Sequence, residues 1–328
     1  MSETTMLLDI RGLTVRYGTQ GGEVRAVEGL DLSLARGETL GFVGETGAGK
    51  TTTALAVMRL VPEPAGRICG GEVIFEGEDL LKKSPRDMRS IRGSKISMIF
   101  QDPMTSLDPV KTVGEQIAEM IGLHESVSRR EALAKAQAML ETVGIRAERS
   151  GDYPHQFSGG MKQRVVIAIA LACNPALVIA DEPTTALDVT IQAQVLDLMR
   201  KLKDRYRTSM ILITHDLGVV AETCDKAAIM YAGNIVEYAD KASLFARPSH
   251  PYTQGLFGSV PDIESDAESL NVISGLTPDP TDLPPGCPFH PRCPRAEGAC
   301  STQAPPKVEI EEGHFVRCFL HGSGGRAR

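Results

Sequence analysis

The sequence predicts an α/β fold built on a largely parallel central sheet, and three observations carry that prediction. Three short apolar runs have the length of buried strands: TLGFVG from Thr39, ALVIAD ending at Asp181, and SMILITHD ending near His215. Each is followed by a stretch that reads as a helix. Strand–helix alternation is how covered parallel sheets are built, because the intervening helices must lie on the sheet faces.

Taken in order, LLDIRGLTVRYG and VEGLDLSL open the chain with the alternation of half-buried strands, punctuated by glycine. A helix is predicted after ETGAGKTT. The segment from about Thr112 to Val143 is helical in pattern, in two amphipathic stretches separated near GLHESVSRR, where Ser128 and Glu131 have capping-box spacing. AAIMYAGNIVEYA reads as a hairpin turning at Gly233 and Asn234. Beyond Pro248 the texture changes, and TPDPTDLPPGCPFHPRCP is too rich in proline for regular structure. A boundary is expected near residues 240 to 260.

At 328 residues and 42% hydrophobic content, the chain suits one large domain with an appendage. The formal charge of −7 argues against nucleic acid as the main partner, since binding it rewards a basic face. The start, MSETTMLLDIRG, lacks a basic region followed by a long apolar one. The best apolar run, VVIAIALA from Val165, is too short to span a bilayer. These features predict a soluble, cytoplasmic protein with reduced thiols, whose clustered cysteines suit metal better than disulfides.

GETGAGKT fits the phosphate-loop pattern: Gly44, Glu45, Thr46, Gly47, Ala48, Gly49, Lys50 and Thr51, with Thr52 next. Glycines let successive N–H groups turn inward on phosphate oxygens beside a helix N-terminus. Lys50 can reach the β- and γ-phosphates, and the Thr51 hydroxyl can ligate Mg²⁺. The plain alternative is a glycine-rich turn with a chance lysine. In LVIADEPT, Asp181 ends an apolar strand at the sheet edge where ligands of open α/β sheets bind, suited to hold Mg²⁺ through water. Glu182 follows and can orient or deprotonate an attacking water, although two adjacent acids also make an ordinary solvated turn.

QFSGGMKQR, from Gln156 to Arg164, narrows the choice. With the preceding motifs it resembles the nucleotide-binding subunit of an ABC transporter. Ser158, Gly159 and Gly160 resemble the signature, and Gln101 in IFQDP the Q-loop glutamine, which implies contact with nucleotide and Mg²⁺. TALD, ending at Asp188, resembles the D-loop, and His215 the switch histidine, which might otherwise be a helix-cap residue. Tyr17 resembles the aromatic that stacks on adenine, or is simply packed on its strand. Met161 stands where the commonest signature has glutamine. The likeness runs from about Leu7 to Glu237.

The resemblance implies an ABC-type ATPase domain at 1–250, with a RecA-like core, an antiparallel β subdomain and a helical subdomain at about 102–175. It implies two such domains stacked head to tail, each signature completing the other's ATP site. Leu244 to Pro261 and GCPFHPRCP resemble the extension of the dipeptide and oligopeptide permease ATPases, placing that extension at 251–328. The implied partners are two integral membrane permease subunits, a second related ATPase and, through the complex, an extracytoplasmic solute-binding protein. The implied location is peripheral, on the cytoplasmic face of the cell membrane. Nickel or glutathione importers share the subfamily. A soluble ABC ATPase of translation or DNA repair would usually carry two cassettes, or one split by a long coiled coil.

Cys287, Cys293, Cys300 and Cys318 are separated by five, six and seventeen residues, unlike paired C-x₂-C zinc knuckles. The subfamily resemblance implies a four-iron four-sulfur cluster on these four thiolates. Zinc, with His290, and plain reduced thiols are the alternatives. Cys69, Cys173 and Cys224 are expected to be small core residues.

Overall fold

Residues 6–185, 187–259 and 273–322 are described by the computed structural model. The first residues of the chain, Ala186 of the TALD run, the end of the Leu244–Pro261 stretch and the last six residues lie outside them. In chain order the strands are β1 (Met6–Thr19), β2 (Gly22–Ala35), β3 (Thr39–Val43), β4 (Gly66–Phe75), β5 (Glu78–Asp79), β6 (Ile96–Ile99), β7 (Leu177–Asp181), β8 (Ser209–Thr214), β9 (Lys226–Tyr231), β10 (Asn234–Asp240), β11 (Lys307–Glu311) and β12 (His314–Arg317). The helices are α1 (Lys50–Val57), α2 (Pro85–Ile91), α3 (Pro103–Ser106), α4 (Val113–His124), α5 (Arg129–Thr142), α6 (Gly159–Leu171), α7 (Val189–Tyr206), α8 (Leu217–Thr223), α9 (Lys241–Ala246) and α10 (Pro251–Gly258).

The chain forms two compact units, one made mainly of residues 82–213 and the other of residues 7–33, 40–81 and 214 onward. In the first unit, β6, β7 and β8 pair in parallel. Every residue of β7 and β8 is buried, as a sheet covered on both faces requires. The expected helical segment is α4 followed by α5. Ser128 caps α5 in a capping box with Glu131, and Thr112 does the same for α4 with Glu115. Gly160 lets α6 approach α7 closely, since a Cβ there would stand 2.5 Å from Ile191 Cγ2.

In the second unit, β1 pairs antiparallel with β4, and a shift of register near Gly12 lets the strand continue to Thr19. β3 runs parallel to β9, and β9 folds back on β10. The hairpin turn is one residue earlier than the sequence suggests. Ala232 (φ 43°) and Gly233 (φ 79°) form its tip, the paired positive φ values of a type I′ turn.

The tail departs further from expectation. The proline-rich run makes only short 3₁₀ turns, but beyond it β11 and β12 form a hairpin, and β12 adds to β10 through the pairs Glu237–Val316 and Tyr238–Phe315. A buried side-chain hydrogen bond fixes this addition. His314 Nε2 lies 2.8 Å from Glu237 Oε1, and both side chains are essentially inaccessible. Glu237 also accepts from the N–H groups of Ser249 and His250. Burial pushes its carboxyl up, but His314 and those N–H groups outweigh it and hold the carboxyl below the usual range. Phe289 of the tail joins Tyr231 and Tyr252 in an aromatic cluster with centroids 4.6 to 5.4 Å apart.

Candidate active site

The phosphate loop joins β3 to α1, where two glycines admit no substitute. A Cβ on Gly44 would stand 2.2 Å from Met230 O, and one on Gly49 (φ 106°) would stand 2.2 Å from Ala26 O. Gly47 (φ 81°) needs glycine for its backbone alone, with no atom near the missing Cβ. The β9–β10 turn braces the loop, because Gly233 N–H donates to Ala48 O at 2.9 Å. Lys50 is 6% exposed and folds back on the loop, donating to Gly44 O at 2.6 Å and Glu45 O at 3.0 Å. Thr46 is exposed at the loop's crest, and Thr51 and Thr52 lie in the first turn of α1.

In the other unit, Glu182 follows β7 with φ 46°, a left-handed conformation that is uncommon for a side chain of this size. Gln101 Nε2 donates to Glu182 Oε2 at 3.0 Å, and Thr185 Oγ1 donates to the same oxygen at 2.9 Å. The structure therefore brings the expected glutamine and glutamate together and adds Thr185, the first residue of the TALD run, for which the sequence suggested no contact with Glu182. Its spacing of three residues from Glu182 was the available signal. Asp181 is 4% exposed at the end of β7.

Ser158 occupies the N-cap of α6 with its hydroxyl making no cap bond, and Ser158 and Gly159 are exposed. Asp188 has a local role that its motif did not suggest, capping α7 by accepting from Ile191 N at 3.0 Å. His215 is exposed beyond β8, and the neighbouring Asp216, not the histidine, caps α8. The Tyr17 ring packs against Gly66, whose missing Cβ would lie 2.6 Å from it. Gln163 of α6 is fully buried with its amide unpartnered, another polar group that the sequence did not single out.

The implied Mg²⁺ calls for oxygen donors, usually one or two carboxylates plus substrate phosphates. The Thr51 hydroxyl and the Asp181 carboxylate are donors of that kind. The four tail cysteines line one small cavity of about 20 Å³ together with His290. Burial pushes the thiols of Cys287 and Cys293 up, and that of Cys318 to about 11, with the neighbouring thiols adding to the shift. Among the described residues, however, no group of three or more His, Cys, Asp or Glu side chains is placed to hold a metal ion. Side-chain placement therefore does not by itself support the expected cluster or its zinc alternative, although the four thiols share one cavity. Of the remaining cysteines, Cys224 is buried, Cys173 is half-buried, and Cys69, contrary to expectation, is exposed.

Known proteins resemble this chain along most of its length. The ABC transporter family profile matches residues 27–185, and that of the oligopeptide/dipeptide transporter C-terminal region matches residues 236–300. A probable peptide ABC transporter ATP-binding protein, y4tR of Sinorhizobium fredii, is 53% identical over 96% of this chain and 95% of its own length. The oligopeptide transport ATP-binding protein AppD of Bacillus subtilis is 49% identical over 97% and 98%. The dipeptide transport ATP-binding protein DppD of that organism is 47% identical over 96% and 94%. Among solved structures, the dimeric post-hydrolysis state of the ATP-binding cassette MJ0796 bound to ADP and Pi superposes with a TM-score of 0.65. It is 25% identical and covers 72% of this chain and 99% of its own.

Proposed function

The chain belongs to the ABC transporter family, among the ATP-binding subunits of peptide permeases, and from that premise we propose how its residues do their work. The protein is an ATPase that powers peptide import, and its family implies membrane permease partners. The observation that carries this reading is the phosphate loop, a cradle held open by Gly44 and Gly49 where no Cβ fits. On binding ATP, Lys50 exchanges the carbonyls of Gly44 and Glu45 for phosphate oxygens. The loop's N–H groups and the α1 N-terminus receive the remaining phosphate charge. Thr51 and Asp181 each offer an oxygen donor that would suit Mg²⁺, and the ion would supply further neutralisation of phosphate charge. Glu182 orients the attacking water and accepts its proton, while Gln101 and Thr185 fix the carboxylate. We assign His215 the switch role that its motif implies, and Tyr17 stacking on the adenine.

Ser158, Gly159 and Gly160 at the start of α6 serve the ATP of a second, related ATPase subunit in a head-to-tail pair. The exposure of Ser158 and Gly159 and the uncommitted N-cap support this. Phe100, Val110 and Leu123 are exposed apolar side chains around Gln101 and α4, which supports docking of permease cytoplasmic segments there. The chain's relatives are ATP-binding subunits of transporters, which supports a peripheral place on the cytoplasmic face; among the described residues no helix is long and apolar enough to cross a membrane. A solute-binding protein completes the importer.

Glu182→Gln in the assembled complex should preserve ATP binding and lower hydrolysis by about 10²- to 10⁴-fold. Lys50→Ala should weaken binding itself. Parental hydrolysis by Glu182→Gln would remove the role given to that residue.

The tail cluster is a separate proposal. Four thiols on one cavity support it, and the lack of a metal-holding group opposes it. Anaerobic purification with iron and zinc analysis decides. Brown protein with about four iron atoms per chain establishes the cluster, stoichiometric zinc replaces it, and metal-free protein leaves reduced thiols.

A further inference from the structure

We infer that Arg292, in the cysteine-bearing tail, is a positioning residue for the phosphate loop, acting by neutralising and anchoring Glu45. This rests on the ATPase reading above. Glu45 is the second residue of the loop, and partners remote in sequence hold it from two sides. Arg292 grips its carboxylate in a fork, Nη1 at 2.8 Å from Oε2 and Nη2 at 3.1 Å from Oε1. The Glu45 N–H donates to the hydroxyl of Tyr252 at 3.0 Å. Its carbonyl accepts from Lys50 Nζ and from Ala48 N–H. The residue that sets where Lys50 rests is therefore itself set by the tail and by α10.

The clamp is built, not incidental. The Arg292 side chain is only 7% exposed, and its remaining donors reach Ser274 O, Ile273 O and the Tyr231 hydroxyl. Tyr252 is fully buried against Tyr231 and Phe289. A surface ion pair would contribute little, but this one is fixed at both ends. It also has a consequence particular to this site. A carboxylate in a loop that receives polyphosphate repels the ligand unless a cation pairs it, and Arg292 supplies that cation.

The test is titration of the full-length chain with a fluorescent Mg·ATP analogue at low and high salt, with thermal melting alongside. Arg292→Ala should raise Kd on the order of tenfold at low salt, because one carboxylate is left unpaired beside the phosphates. The defect should shrink as salt screens that charge. Adding Glu45→Gln to Arg292→Ala should recover most of the affinity. Arg292→Lys, which keeps the charge but loses the fork, should fall between parent and alanine variant. In the assembled complex the alanine variant should raise KM for ATP more than it lowers kcat. Parental Kd in Arg292→Ala overturns the inference while leaving the ATPase reading intact. A loss that salt and Glu45→Gln do not relieve overturns it in favour of a purely structural role. A parental chain that binds no Mg·ATP overturns the ATPase reading instead, and the inference with it.

Discussion

Replacing Gly44 by alanine separates sterics from backbone strain in the phosphate loop. The added Cβ would stand 2.2 Å from Met230 O and 3.3 Å from Ala48 Cβ. Ordinary van der Waals separation is about 3.5 Å, so the loop must retreat from β9 by roughly 1 Å. Met230 offers no easy relief, because its backbone is paired to Ile235 in the β9–β10 hairpin. The retreat also moves Gly44 O, one of the two resting partners of Lys50. Misplacement by about 1 Å is worth on the order of a hundredfold in a positioned site. Gly47→Ala is the control, since nothing lies near its Cβ and only the left-handed backbone penalty of about 1–2 kcal/mol applies. That strain is present with and without nucleotide, so it should appear mainly as a lower melting temperature and only a few-fold change in Kd. Both variants can be titrated with a fluorescent Mg·ATP analogue and melted in parallel. Parental affinity in Gly44→Ala, or a greater loss of affinity in Gly47→Ala than in Gly44→Ala, would refute the reasoning.

Two further outcomes concern the tail junction. His250 is buried and neutral, its imidazole pushed down to about 4 by burial, and its Nδ1 accepts the Tyr252 N–H. Unfolding lets it bind a proton near 6.5, so its contribution of roughly 3 kcal/mol is complete above pH 6.5 and is lost as pH falls toward 4. His250→Asn should flatten the pH dependence of denaturant midpoints across that window. His314→Ala leaves the Glu237 carboxylate buried with two backbone N–H partners, at a cost of about 2–4 kcal/mol in denaturant unfolding. Because Glu237 sits below its ordinary value, the pair's contribution is present above about pH 4.5 and lost as pH falls through the lowered value. Removing His314 should therefore weaken the acid limb below pH 4.5.

What the sequence disclosed and what it withheld divide along one line, local against remote. β3, β7 and β8 were legible because fully buried strands read as unbroken apolar runs, and α5 because Ser128 and Glu131 announce its cap. The phosphate loop was legible because glycine spacing is a backbone requirement written into sequence. The hairpin tip was displaced by one residue because the glycine drew attention from Ala232, which also takes positive φ. The β11–β12 hairpin was hidden behind a run of prolines, and its alternation is short. Cys69 was misjudged because its strand buries only part of one face. The contacts of Arg292 and Tyr252 with Glu45 span 247 and 207 residues, and no local pattern encodes them.

The Glu237–His314 pair ties β10 to a part of the chain made well after it. Its two members are separated by 77 residues, so a growing chain completes β10 well before the histidine exists. At translation rates of about 5–20 residues per second, the carboxylate waits roughly 4–15 s for its partner. During that interval the outer edge of β10 has no strand to cover it, and an uncovered edge invites pairing with other chains. A message truncated just after β10 would yield a product that keeps the phosphate loop, the acidic pair and His215 but has an open edge. Such a product is a candidate for proteolysis or aggregation. β12 thus closes the β10 edge only after a further long stretch of chain has been made.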